Sequence, residues 1–182
     1  MIEVRDLTVC YGDRVIWDHF TLSIPEVGMT FLSGASGVGK TTLLRVLAGL
    51  LVPERGEVKL PGRPVMLFQE DRLFHRCMAI RQVEAVLPWD RSSEARRWLE
   101  LVELADTDQL PEELSGGMAR RLALARALAV EGEVYLLDEP FAGVDLERAE
   151  RILGRLRALK KPMLLTGHTP ELAELCDRVI RL

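Results

Sequence analysis

Gly34-Ala35-Ser36-Gly37-Val38-Gly39-Lys40-Thr41 is the stretch on which the reading of this 182-residue chain turns. Its spacing is G-x-x-x-x-G-K-[ST], the phosphate-loop pattern. Met29-Thr30-Phe31-Leu32 ahead of it is predicted as a short buried strand, and Thr42-Leu43-Leu44-Arg45-Val46-Leu47-Ala48 behind it as a helix. Strand, loop and helix in that order are the context the motif needs. Glycines let the backbone turn sharply and bring successive N–H groups onto phosphate oxygens. The dipole at the start of the following helix favours the same anion. Lys40 is then expected to reach the β- and γ-phosphates of a nucleoside triphosphate, and the Thr41 hydroxyl to ligate Mg²⁺.

Two further stretches add chemistry. Val134-Tyr135-Leu136-Leu137 is a continuous apolar run that ends in Asp138-Glu139-Pro140. It reads as a buried parallel strand, and the carboxyl end of such a strand is where open α/β sheets bind ligands. Asp138 is placed to hold Mg²⁺ through water, and Glu139 to polarise an attacking water. Upstream, Leu114-Ser115-Gly116-Gly117-Met118 opens a predicted helix running to Leu128. This is a second helix N-terminus with Ser and Gly ahead of it, suited to an anion. Ser-Gly-Gly alone is only a turn and a cap; its place shortly before the acidic strand singles it out.

Residues 1–24 alternate as antiparallel strands, with Tyr11-Gly12-Asp13 as the turn. Gly56–Leu60 and Val65–Phe68 read as two more strands, joined through Pro61-Gly62-Arg63-Pro64. From Asp71 to Pro111 the texture changes: Ala79–Leu87 and Ser92–Leu104 are rich in helix formers, and Trp89 and Trp98 are expected to pack this small subdomain. Helix–strand alternation resumes at Ser115, and Leu146–Leu159 is predicted as a helix. The expected fold is α/β: a P-loop NTPase core with a parallel sheet flanked by helices, an N-terminal antiparallel β region and an inserted helical subdomain. One domain is expected over 1–182, with 1–70 and 115–182 as core and 71–114 as the insertion.

With these signatures the chain resembles an ATP-binding-cassette ATPase subunit over almost its whole length. The resemblance implies Mg-ATP sandwiched between two copies, each supplying one glycine signature. Gly34, Ala35, Ser36, Gly37, Val38, Gly39, Lys40, Thr41 and Thr42 would hold ATP in one subunit, while Ser115, Gly116 and Gly117 of the other bind its γ-phosphate. Tyr11 matches the aromatic that stacks on adenine, and Gln69 the glutamine that senses Mg²⁺ and the attacking water. Asp145 matches the aspartate of the loop that crosses the dimer interface; it also suits an N-cap for the helix that follows. His168 matches the switch histidine on the γ-phosphate. Glu139, His168 and Gln69 would then be catalytic, with Thr41, Gln69 and Asp138 at the metal. Met118 stands where many relatives have Gln, and Gly143 where a small residue such as Ala is common; neither is a metal, base or phosphate ligand.

The resemblance extends to an ATP-hydrolysing subunit of a membrane transporter, working on a separate transmembrane permease from the cytoplasmic face of the membrane. Phe68–Leu73 and Ser115–Met118 are similar to the ATPases of nitrate, sulfonate and taurine importers, which also use an extracytoplasmic binding protein. Phe74-His75-Arg76 departs from the Leu-Pro-Trp-like run common there. Export of a lipid, drug or metabolite, and a soluble non-transport ATPase, are the alternatives. Asp71–Met78 is the candidate permease docking segment, with Leu73, Phe74 and Met78 either exposed for an apolar groove or buried inside the helical subdomain.

Composition sets the outer bounds. With 48% hydrophobic and 29% charged residues the chain is that of a globular protein. A formal charge of −4 gives no general attraction to nucleic acid or anionic lipid, and no nucleic-acid partner is expected. No apolar run is long enough to span a bilayer, and Met1–Leu7 alternates like a strand rather than a signal peptide. Cys10, Cys77 and Cys176 are odd in number and far apart, which fits reduced thiols. His19 and His75 read as surface groups. The chain closes on Arg178–Leu182 directly after the last predicted strand, so a minimal cassette without a C-terminal regulatory domain is expected.

Overall fold

Alternation at the N-terminus produces β1, Ile2–Tyr11, which buries Ile2, Val4, Leu7 and Val9 on one face. A turn at Gly12-Asp13 returns the chain as β2, Arg14–Ile24. β1 pairs antiparallel with β2 on one side and with β4, Arg55–Lys59, on the other. The register between β1 and β2 slips at three points between Val4 and Cys10. Asp6 and His19 sit there with φ of 53° and 52°. Their side chains meet at 2.5 Å, and Arg55 reaches the same carboxylate at 2.9 Å. These are β-bulges, each with an unpaired residue that bends and twists the ribbon. The computed structural model describes residues 1–105 and 108–182; residues 106–107 of the expected 71–114 insertion lie outside them.

The second sheet has the order β5-β6-β7-β3-β8, formed by Pro64–Leu67, Val134–Leu137, Met163–Thr166, Met29–Ser33 and Arg178–Arg181. β7 runs parallel to β6 and β3, and β3 parallel to β8. β6 and β7 are buried along their full length, as strands of a parallel sheet covered on both faces must be. Gly56–Leu60 and Val65–Phe68, read as neighbours in sequence, belong to different sheets: β4 edges the antiparallel one, β5 the parallel one. Helix α1, Lys40–Leu47, contributes Leu43, Leu44, Val46 and Leu47 to one apolar core shared with Ile2, Val4, Leu7 and Val9 of β1, Leu32 of β3, Leu136 of β6 and Leu164 of β7. Each such side chain removed from water stabilises the fold by about 1.5–3 kcal/mol. This core holds the phosphate-loop strand and helix rigid.

The chain divides into two compact units, Met1–Met66 with Gly132–Asp138 and Lys160–Leu182, and Leu67–Glu131 with Glu139–Leu159. The first also contains the short helix α6, Pro170–Glu174. In the second, α2 (Ala79–Glu84), α3 (Ala95–Leu101) and α4 (Gly116–Ala129) pack on one another, with Val83, Leu99, Leu122 and Leu124 fully buried, and α5 is Leu146–Arg157. α2 and α3 are shorter than their sequence pattern, because Pro88 interrupts the run and Trp89–Glu94 forms a 3₁₀ turn. Trp89 on that turn is 90% exposed, against the expectation that it packs the subdomain, since the turn buries none of its residues. Trp98 is half-buried. Gln82 is fully buried and holds the loop before α2 by donating to the carbonyls of Phe74 at 2.8 Å and Cys77 at 3.0 Å. Glu103, 18% exposed, gathers Arg148, Arg151 and Arg155 of α5 at 3.4, 2.9 and 3.1 Å. Arg151 in the first place, by hydrogen bonding, holds the Glu103 carboxyl below the usual carboxylate range. Among the described residues no helix is long and apolar enough to cross a membrane.

Candidate nucleotide site

The first unit assembles a phosphate site from the ends of three adjacent strands. β7 lies between β6 and β3, with Leu165 opposite Leu137 and Thr166 opposite Leu32. Gly34, Asp138 and Gly167-His168 therefore leave the same carboxyl edge of the sheet, the edge at which α/β sheets bind ligands. Gly37 and Gly39 have φ of 77° and 110°, conformations that residues with a Cβ rarely adopt. Gly39 is doubly constrained: a Cβ there would lie 2.8 Å from the Trp17 indole. α1 starts at Lys40 with no side-chain cap and no acid in its first turn, so its leading N–H groups point toward an open, electropositive end. The buried Lys40 ammonium donates to the carbonyls of Gly34 at 2.7 Å and Ala35 at 3.0 Å, inside the arc of the loop. Thr41 and Thr42 follow on the first turn of α1.

Asp138 is 1% exposed, and its Oδ1 accepts a 2.7 Å hydrogen bond from the hydroxyl of Thr166, itself 2% exposed. Thr166 fixes the carboxylate, a part the sequence reading missed; the available signal was one hydroxyl ending the apolar strand Met163-Leu164-Leu165-Thr166. His168 and Tyr11 are exposed, the latter at the end of β1. Backbone donors, one ammonium, one hydroxyl and one oriented carboxylate are the donor set that fits a magnesium-bound triphosphate.

The second unit carries the other sequence-predicted residues. Ser115 caps α4, its Oγ accepting from Met118 N–H at 3.3 Å. Gly116 and Gly117 form the first turn of that helix. A Cβ on Gly117 would come within 2.4 Å of the Gly143 carbonyl, so the turn before α5 is seated directly on the start of α4. Gly143 has φ 69°, which explains Gly there in place of Ala. Asp145 is the N-cap of α5, accepting from Arg148 N–H at 3.0 Å. Glu139 is half-buried with φ 48°. Its carbonyl accepts from Arg120 Nε at 2.9 Å, while Arg120 Nη1 reaches the carbonyls of Phe68 at 2.8 Å and Gln69 at 3.2 Å and the Asp71 carboxylate at 2.9 Å. Gln69, whose side chain is exposed, and Glu139 are thus joined through one guanidinium. Arg120 was not singled out from sequence; its signal was two successive arginines, Arg120-Arg121, in a helix whose remaining residues are apolar but for Arg126.

An ABC transporter family model matches residues 17–142. The chain is 41% identical over 189 residues to the aliphatic sulfonates import ATP-binding protein SsuB 1 of Nocardia farcinica, covering 100% of this chain and 77% of that protein. It is 37% identical over 191 residues to the intermembrane phospholipid transport system ATP-binding protein MlaF of Haemophilus influenzae, covering 92% of this chain and 72% of the relative. Among solved structures, the dimeric bacterial ABC transporter cassette MJ0796 superposes with a TM-score of 0.89 at 25% identity, covering 100% of this chain and 94% of the other. The same cassette as a dimer in a post-hydrolysis state bound to ADP and Pi also gives 0.89, at 26% identity. With both nucleotide signatures in place and a family match over most of its length, this chain belongs to the ABC transporter ATPases.

Proposed function

We propose that this ATPase subunit drives a small-solute importer, two copies closing head to tail on Mg-ATP beneath a separate permease. The observation that carries the ATP chemistry is the shared sheet edge from which the phosphate loop, Asp138 and His168 emerge. In this reading Tyr11 stacks on adenine, and the loop from Gly34 to Gly39, with Lys40, Thr41 and Thr42, holds the triphosphate. Thr41, Gln69 and Asp138 would be the residues at Mg²⁺. Mg²⁺ would supply charge neutralisation on the phosphate oxygens. Glu139, joined to Asp138 by a peptide bond, orients the attacking water, and His168 contacts the γ-phosphate. Ser115, Gly116 and Gly117 bind the γ-phosphate held by the second copy, with Asp145 at the interface between copies. Closure then depends on the triphosphate, and its hydrolysis lets the pair reopen: work comes from the difference in affinity of the closed state for ATP and ADP.

The importer reading rests on the sulfonate-import relative, which matches the whole chain. A phospholipid transport subunit, by the second relative, is the competing one. For the permease, an open groove of about 410 Å³ lined by Asp71, Arg72, Leu73, His75, Pro111 and Glu112 lies where docking was expected. Phe74 and Met78 are exposed in the same segment. An extracytoplasmic binding protein would complete the system and place this subunit on the cytoplasmic face.

Glu139→Gln tests the reading. The variant is expected to bind ATP, lose steady turnover and double its mass on size-exclusion chromatography in Mg-ATP; substantial turnover would remove Glu139 from its role. A pull-down of the same variant from native membranes then reads the direction. A permease together with a binding protein supports import, and a permease alone supports the competing reading.

A further inference from the structure

Arg120 has no part in phosphate, metal or adenine recognition, yet it is one of the most buried charges in the chain at 2% exposure. A charge so placed is tolerated only when its donors are satisfied. Its acceptors are unusual in where they lie. Nε takes the carbonyl of Glu139, and Nη1 takes the carbonyls of Phe68 and Gln69 and the carboxylate of Asp71. The planar guanidinium has the fork needed to span two separate backbone segments; an ammonium acts from a point. Glu139 needs such a partner, because its φ of 48° is disfavoured for a residue with a Cβ and persists only when its surroundings hold it.

We propose that Arg120 is a positioning residue for hydrolysis, its guanidinium locking the left-handed backbone of Glu139 to the Gln69 segment so that both side chains address the same water. The inference rests on the roles given above to Glu139 and Gln69. Arg120 also stands on α4, the helix whose capped start is Ser115. The groups that recognise phosphate on the second copy and the groups that attack on the first are therefore carried on one framework. Asp71, which anchors the guanidinium, also lines the groove assigned to the permease. Movement of that segment reaches Glu139 through two hydrogen-bonded steps.

The test measures ATP dissociation constants, kcat and KM on the purified full chain for wild type, Arg120→Lys and Glu139→Gln. Arg120→Lys keeps the charge and loses the fork. It is expected to lower kcat about tenfold to a hundredfold, as small misplacements of attacking groups do, with ATP affinity within about twofold of wild type. Adding Arg120→Lys to Glu139→Gln should lower turnover no further, because both act on one step. Unchanged kcat in Arg120→Lys, alongside a dead Glu139→Gln, overturns this inference alone. Full turnover in Glu139→Gln instead overturns the reading of the site on which it rests. Should Arg120→Lys fail to fold, Asp71→Asn carries the test, since it weakens the anchor and spares every carbonyl bond. A fall in kcat at constant ATP affinity supports the proposal there, and an unchanged kcat refutes it.

Discussion

Thr166→Val asks whether Asp138 works because it is an acid or because it is held. Valine matches threonine in shape, so the buried strand end keeps its packing and loses only the hydroxyl. What disappears is a 2.7 Å hydrogen bond to a carboxylate that is 1% exposed. Hydrogen bonds to charged groups contribute about 1.5–3 kcal/mol, and burial prevents water from replacing the donor. For a chain of this size each kcal/mol moves the melting temperature by about 2–4 °C, so a fall of roughly 3–12 °C is expected. Thermal melts of wild type, Thr166→Val and Thr166→Ser separate the hydroxyl from the methyl, with serine expected to retain most of the stability. ATPase titrations against Mg²⁺ provide the functional readout: a carboxylate without its tether should need more metal for half-maximal activity. A Thr166→Val protein that melts within 1 °C of wild type and has an unchanged Mg²⁺ requirement would refute the reasoning, because the bond would then contribute nothing to either fold or site.

Gly117→Ala places a methyl 2.4 Å from the Gly143 carbonyl, a backbone atom that cannot step aside cheaply. Overpacking of this kind costs about 1–3 kcal/mol. It should displace the turn before Asp145 and abolish the ATP-driven doubling of mass in the Glu139→Gln background while ATP still binds; an intact dimer would count against the placement of that turn. Glu103→Gln removes the negative charge shared by Arg148, Arg151 and Arg155 and turns one of its two acceptor oxygens into an NH₂ donor. The folded-state carboxyl is depressed, so its stabilisation is fully present above the unfolded value of about 4.3 and fades as pH falls through the lower folded value. Urea unfolding should show a deficit of about 1–2 kcal/mol at pH 7 that closes below about pH 4; a deficit independent of pH would assign the effect to packing.

The phosphate loop was legible because its chemistry is local: glycine, lysine and threonine at fixed spacing leave one backbone path. The strands at Met29 and Val134 were legible because a buried parallel strand must be apolar throughout. Asp145 and Ser115 were readable as caps for the same local reason. Thr166 and Arg120 were not, because their meaning lies in partners 28 and 19 residues away respectively, at Asp138 and Glu139, and pairing at that distance leaves no periodic trace. Trp89 was misread because a large aromatic in a helix-rich segment usually packs, whereas the proline before it starts a 3₁₀ turn that carries the ring outward. The split of the β4 and β5 segments between two sheets was invisible for a related reason. Adjacent strands usually pair, and only the competition of β1 and β6 for them decides otherwise.

The bulged seam between β1 and β2 bears on how copies of this protein can meet. β2 is an outer strand, and an outer strand offers a row of open N–H and C=O groups to any extended chain in solution. Here the ribbon is kinked at Asp6 and His19, and the opposite border, Arg55–Lys59, is charged at Arg55, Glu57 and Lys59. A second molecule cannot continue either border without losing register or burying unpaired charge. Ribbon-to-ribbon polymerisation is closed off at both margins of this sheet, so strand-by-strand extension is not a route by which copies of the protein can assemble through it.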